Sequence, residues 1–183
     1  MRRRLVGMVA AVLVAAGVGV VAPASAQAAP YCGITWGSLA KSGHGTTHGV
    51  VTGVRAGEHA CYDRLVVDLG QGATGYTVRY VSGVPYQARA GTIPLRGGAF
   101  LEILVSSPAY DPATGQPTYA PANPRELASV SGYRTFRQVA YGGTFEGMTT
   151  VGLGVRARLP FRAFLLAGPG SGYRLVVDVA HLW

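Results

Sequence analysis

From residue 50 onward, apolar and polar residues alternate with a period of two over short stretches, the pattern of strands with one face buried and one face wet. Eight segments carry it: 50–55, 65–69, 76–81, 100–105, 133–141, 148–159, 161–166 and 173–179. Glycine-rich punctuation separates several of them, at 70–72, 97–98, 142–143 and 168–170. The sharpest example of the alternation is a pentapeptide, Arg-Leu-Val-Val-Asp, that occurs at 64–68 and again at 174–178. Successive strand side chains point to opposite faces, so Leu65, Val67 and Leu69 share one face and Arg64, Val66 and Asp68 the other. The second copy divides in the same way, with Leu175, Val177 and Val179 backed by Arg174, Val176 and Asp178. Only 124–130 reads as helix, with Asn123 at the N-cap and Pro124 at the first helical position. Residues 106–124 hold prolines 108, 112, 117, 121 and 124, lack the donors a central strand needs, and read as a long loop. The expected fold is therefore all-β: a two-sheet β-sandwich or open barrel of about eight strands, with one short helix and a long Pro-rich loop.

The N-terminal residues change the setting. Three arginines at positions 2–4, an apolar run at 5–21 and Ala24-Ser25-Ala26 form the pattern of a cleaved secretory signal peptide. Gly17, Gly19 and Pro23 interrupt the run, which argues against a membrane anchor, and no small-residue box precedes Cys32, which argues against a lipid anchor. The expected organisation is a signal peptide at 1–26, an N-terminal segment at 27–49 and a single β domain at 50–183. Of the 183 residues, 157 remain after the first 26 leave, enough for one domain with its own core. Thirteen of the 16 basic residues stay against 8 acidic ones, a net charge of +5, and all the cations but Lys41 are arginine. A basic exported protein meets anionic wall polymers, not nucleic acid, and arginine binds carboxylate and phosphate with two parallel N–H groups. The location expected is extracytoplasmic, secreted or associated with the cell wall, with no stable membrane insertion after cleavage.

Candidate chemistry is sparse. Cys32 and Cys61 are the only cysteines; in an oxidising compartment they imply one disulfide, tying the N-terminal segment to the strand near Arg64. His44 and His48 are four apart, but glycines surround them and no acidic residue lies between, so no metal site is expected, nor any cofactor. His59 near Glu58, Cys61 and Asp63, together with His181, supplies the elements of an acid–base site if the fold gathers them. Glu102 and Glu146 are one conceivable glycosidase pair. These residues define an alternative reading, a small secreted hydrolase or ligand-binding β protein with a His/Glu cleft. Neither a nucleophile elbow nor a phosphate loop is present. The binding candidates are Arg64, Arg174 and Arg79 on strands, for anionic glycan or peptide carboxylates, and Tyr110 and Tyr119 on the Pro-rich loop, for stacking on sugar rings. If the two pentapeptides pair antiparallel, Arg64 or Arg174 opposes an aspartate in a cross-strand ion pair worth about 0.2–1 kcal/mol.

The strings Val51-Thr-Gly-Val-Arg55, Asp63-Arg-Leu-Val-Val-Asp-Leu69 and Gly75-Tyr-Thr-Val-Arg-Tyr-Val81 resemble the first half of an AMIN domain. Pro160-Phe-Arg-Ala-Phe-Leu-Leu166 and Tyr173-Arg-Leu-Val-Val-Asp-Val179 resemble its closing half. With Tyr31-Cys-Gly-Ile-Thr-Trp-Gly37, Phe145-Glu-Gly147 and Thr150-Val-Gly-Leu-Gly154, the chain looks most like the stand-alone AMIN-like proteins exported by high-GC Gram-positive bacteria. The resemblance implies an extracytoplasmic, noncatalytic module of two stacked sheets. Its signature strands would carry Arg64, Asp68, Arg174 and Asp178, and its partner would be peptidoglycan. The basic charge adds attached anionic polymers as a partner, and the Pro-rich loop adds another secreted protein as a further partner class.

Overall fold

The computed structural model describes residues 29–46 and 49–183. The signal-peptide pattern, its cleavage site and His48 lie outside the described residues. Nine strands form two antiparallel sheets that face each other and do not close into a barrel: β1 (Lys41–Gly43), β2 (Val51–Glu58), β3 (Tyr62–Gln71), β4 (Tyr76–Val81), β5 (Ala99–Val105), β6 (Phe136–Phe145), β7 (Met148–Val155), β8 (Phe161–Ala167) and β9 (Gly172–Ala180). One sheet has the order β1-β4-β5-β7-β6, the other β2-β3-β9-β8. A single 3-10 turn at Tyr31–Gly33 is the only helical element among the described residues.

The core lies between the sheets and is built from the alternation. Leu65, Val67, Leu175 and Val177 of one sheet meet Val78, Leu101, Ile103, Val151 and Leu153 of the other, all fully buried. Burying an aliphatic side chain contributes about 1.5–3 kcal/mol, so these rows dominate the stability of the sandwich. A second, smaller cluster forms outside the five-stranded sheet, where the loop between β4 and β5 places Val84 and Ile93 against Ala140.

Three expectations need correction. The helix expected at 124–130 is absent. Asn123 instead closes a turn, its Oδ1 accepting from Arg125 N (3.0 Å) and its carbonyl accepting from Glu126 N (3.2 Å). The chain then runs along the free edge of β6, where Leu127 N donates to Val139 O (2.8 Å) and Tyr141 N to Pro124 O (2.7 Å). Cap-type residues serve turns as well as helices, and an open strand edge offers the backbone partners a lone helical turn lacks. The turn expected at Gly142-Gly143 falls inside β6, at a register shift, and the chain reverses at Glu146 and Gly147, both at positive φ (48° and 78°). A ninth strand, β1, has no hydrophobic signal and exists through its pairing with β4.

The Pro-rich loop is tied at its base. Val51 N donates to Pro108 O (2.8 Å), Thr118 Oγ1 to Val51 O (2.8 Å) and Thr118 N to Ala109 O (3.0 Å). Cys32 and Cys61 form the expected disulfide, which joins the N-terminal segment to the residue preceding β3.

Candidate binding surface

The two Arg-Leu-Val-Val-Asp copies lie side by side and antiparallel at the centre of the four-stranded sheet. Their register is one to one: Arg64 opposite Asp178, Leu65 opposite Val177, Val66 opposite Val176, Val67 opposite Leu175 and Asp68 opposite Arg174. The polar residues therefore stand together on the outer face of that sheet.

Asp178 organises one end of this face. Its carboxylate has no exposed surface and accepts from Arg64 Nε (2.6 Å), Arg64 Nη2 (2.9 Å) and, from β8, Arg162 Nε (2.8 Å). The hydrogen bond to Asp178 raises the Arg64 pKa above its ordinary value, so the guanidinium is held charged. Arg64 and Arg162 remain 24% and 40% exposed, and one carboxylate against two guanidinium groups leaves a net positive charge. Arg162 gives Asp178 only its Nε, which leaves its two Nη groups to point elsewhere.

Aromatic rings frame the pair. Arg162 sits over Trp36 at 4.5 Å, over Phe164 at 5.1 Å and over Tyr62 at 5.6 Å, while Arg64 lies 5.4 Å from the Tyr62 ring. Tyr62 meets Trp36 edge-on (5.6 Å) and stacks with the exposed His59 (4.7 Å). Trp36 reaches this place because the disulfide draws its segment to the start of β3. Partly wet aromatic faces beside an arginine whose remaining donors are free can stack on sugar rings and hold a carboxylate in the same contact.

The other end of the face forms no matching pair. Arg174 is opposite Asp68 in register, yet Asp68 pairs with Arg55 of β2, Nε to Oδ2 and Nη2 to Oδ1, both at 2.9 Å. Arg174 donates instead to the Ala167 carbonyl (3.1 Å), and its buried Nε has no partner among the described residues. Asp68 lies between two strands that both offer arginine, and Arg55 engages both of its oxygens.

The family model for the AMIN-like domain matches residues 49–181. The chain belongs to the AMIN-like domain family. No curated protein and no solved structure matches it. AMIN-like membership points to a cell-wall-related binding module, in a family that is extracytoplasmic and generally noncatalytic. Among the described residues, no helix is long and apolar enough to cross a membrane.

The remaining candidates are dispersed over this AMIN-like fold. Arg79 is on the other sheet, its Nε 2.6 Å from Glu102 Oε2, with the carboxylate buried and the arginine half exposed. That pairing explains how Glu102 is accommodated beside Phe100 and Leu104. Tyr110 forms a bridge with Pro117, and Tyr119 packs edge-on against Tyr141 (5.9 Å) and against the core. Glu146 sits at the tip of the β6–β7 hairpin, whereas Glu102 is aligned with Gly152. That offset is more than about 13 Å along the strand, too far for a glycosidase pair.

His181, Asp63 and Glu58 do converge, with one ligand-type atom of each within 4.8 Å of the others, so among the described residues these three side chains could hold a metal ion. Two of them already serve the fold. His181 Nε2 donates to Asp63 Oδ1 (3.0 Å), and Asp63 Oδ2 accepts from the backbone N–H groups of Thr135 (2.7 Å) and Phe136 (2.9 Å), all buried. This clasp joins the starts of β3 and β6 to the residue after β9. His59 is turned toward Tyr62, so the four residues of the hydrolase alternative, His59, Glu102, Glu146 and His181, do not share a cleft.

Trp36, Tyr62, Arg162 and Phe164 were not singled out from the sequence. The signal for two of them was present: alternation along Phe161-Arg-Ala-Phe164 puts Arg162 and Phe164 on one face. Their meeting with Arg64 depends on β8 pairing with β9, which no local pattern specifies.

Proposed function

We propose that this AMIN-like domain is an exported, noncatalytic module that holds peptidoglycan against the outer face of its four-stranded sheet. The observation that carries the reading is the Arg64–Asp178–Arg162 cluster framed by Trp36, Tyr62 and Phe164. Asp178 fixes both guanidinium groups before a ligand arrives, which lowers the ordering cost of binding. The rings offer flat apolar contact to pyranose faces, and the remaining Arg162 donors suit the carboxylates of the peptide stems. The signal-peptide pattern at 1–26 and the family's extracytoplasmic character support delivery to that polymer. Arg174 extends the basic character of the face, while Arg79, Tyr110 and Tyr119 lie apart from the cluster and are not part of the proposed contact.

The test is co-sedimentation with sacculi stripped of their attached anionic polymers. The wild-type chain is expected in the pellet at low and moderate salt. Trp36→Ala and Arg162→Ala variants, with folding checked by circular dichroism, are expected to bind at least about tenfold more weakly, which is about 1.4 kcal/mol. A wild-type chain that stays in the supernatant, or folded variants that pellet as well as it does, overturns the reading.

A further inference from the structure

A second basic region lies away from the pentapeptide face, at the margin of the five-stranded sheet. Three depressions adjoin one another there. The first, about 360 Å³, is lined by Tyr86, Arg89, Arg125 and Tyr141. The second, about 510 Å³, shares Pro94 and Arg125 with the first and Arg96 and Glu126 with the third. The third, about 640 Å³, continues to Tyr133 and Arg137. Together they make one groove between the β4–β5 loop and the segment that precedes β6.

The groove is built by buried polar contacts. Gln138 of β6, nearly fully buried, accepts from Arg96 N through Oε1 (2.7 Å) and donates to Arg125 O through Nε2 (2.9 Å), so one side chain sets the spacing of both walls. Gln87 fixes the loop further along, its backbone N donating to Gly142 O (2.8 Å) and its Oε1 accepting from Thr150 Oγ1 (2.7 Å). The loop approaches the sheet closely because Gly152 and Gly154 of β7 present no side chain beneath it.

Charge in the groove is one-sided. Arg89, Arg96, Arg125 and Arg137 line it, and among the described residues Glu126 is the carboxylate that joins them. Arg96 takes that carboxylate with two bonds (2.6 and 3.1 Å). Arg137 donates only to carbonyls, those of Tyr133, Phe136 and Arg134, and Arg89 stacks 3.7 Å above the Tyr86 ring. Among the described residues, no carboxylate lies within ion-pair distance of Arg89, Arg125 or Arg137. Three charges without a carboxylate partner are thus spread over the three adjoining depressions. A single small anion would satisfy one of them; a chain with regularly spaced anions satisfies all three, and tyrosine and proline walls suit its carbon backbone.

We propose that this groove is a track for a linear polymer carrying one phosphate or carboxylate group per repeat, the chemistry of the anionic polymers attached to wall glycan. It shares the extracytoplasmic setting of the reading above but uses different residues on a different sheet, so either can fail without the other.

The experiment measures affinity of the purified chain for soluble poly(glycerol phosphate), for polygalacturonate and for neutral dextran across a salt series. Binding to at least one polyanion, weakening as salt rises, with none to dextran, is expected; which polyanion is held more tightly identifies the anion. An Arg89→Gln/Arg125→Gln variant is expected to lose at least about tenfold in affinity at an unchanged melting temperature. A charge-matched Lys41→Gln/Arg55→Gln variant is expected to stay within about twofold of wild type. Trp36→Ala is expected to leave polymer binding intact, and the Arg89→Gln/Arg125→Gln variant to keep sedimenting with stripped sacculi. Failure to bind either polyanion at low salt, equal loss in both double variants, or no loss in the groove variant overturns the proposal.

Discussion

Asp178 is a carboxylate without exposed surface that accepts three N–H bonds from two arginines on different strands. Removing its charge strands two guanidinium groups at once, whereas Asp68 serves one largely exposed arginine. Asp178→Asn is therefore expected to cost about 2–3 kcal/mol and Asp68→Asn less than about 1 kcal/mol, read from urea midpoints. Equal losses would show that Asp178 does not organise the face. The Arg64–Asp178 pair was legible in the sequence, because a repeated strand with arginine at one end and aspartate at the other is self-complementary when antiparallel. The choice of Asp68 between Arg55 and Arg174 was not legible, since it turns on side-chain reach across three strands.

At the scale of elements, β7 shows how a strand serves two faces. Val151, Leu153 and Val155 fill the core, while Gly152 and Gly154 face outward beneath the β4–β5 loop. A Cβ at Gly154 would run into the Arg96 carbonyl oxygen, and one at Gly152 would press on Leu95 and Ile93. Gly154→Ala is expected to destabilise the fold by about 1–3 kcal/mol and to displace the loop, detected as a lowered melting temperature with weaker polyanion binding. Wild-type stability in that variant would mean the loop does not rest on the strand. Strand existence was readable at eight of nine positions because periodicity records burial. The failures have physical causes: β1 carries no apolar residue, and the segment after Asn123 follows a tertiary strand edge that local cap chemistry does not reveal.

Across the whole molecule, the sheets are joined by tyrosines as well as by apolar packing. Tyr76 Oη donates to Ala163 O and Tyr80 Oη to Leu159 O, both at 2.9 Å, and Leu159 N donates back to Tyr80 Oη. Burial raises the pKa of Tyr76, Tyr80 and Tyr119, and burial followed by the neighbouring Tyr119 pushes Tyr141 up to about 12. Above pH 10 an unfolded tyrosine releases a proton that the folded one keeps, so the native state binds more protons and stability falls as pH rises toward 12. Denaturant midpoints are expected to be insensitive to these tyrosines below pH 10 and to drop above it. Tyr141→Phe is expected to remove about 1–2 kcal/mol of that drop, allowing for partial solvation of the ring. An unchanged alkaline slope in the variant would rule Tyr141 out as a contributor.

The pairing of β3 with β9 joins residues 114 apart in sequence at Arg64 and Asp178, and these two strands form the middle of their sheet. Without residues 172–180, β2 and β3 are left as an isolated hairpin, too small to be stable alone. Completion of this sheet is therefore a long-range closure, and a chain interrupted before its ninth strand keeps the Leu65 and Val67 row without its neighbours Val177 and Leu175. The sequence that repeats itself acts as a latch between two distant segments, so the four-stranded half of the sandwich needs residues 172–180 for its completion.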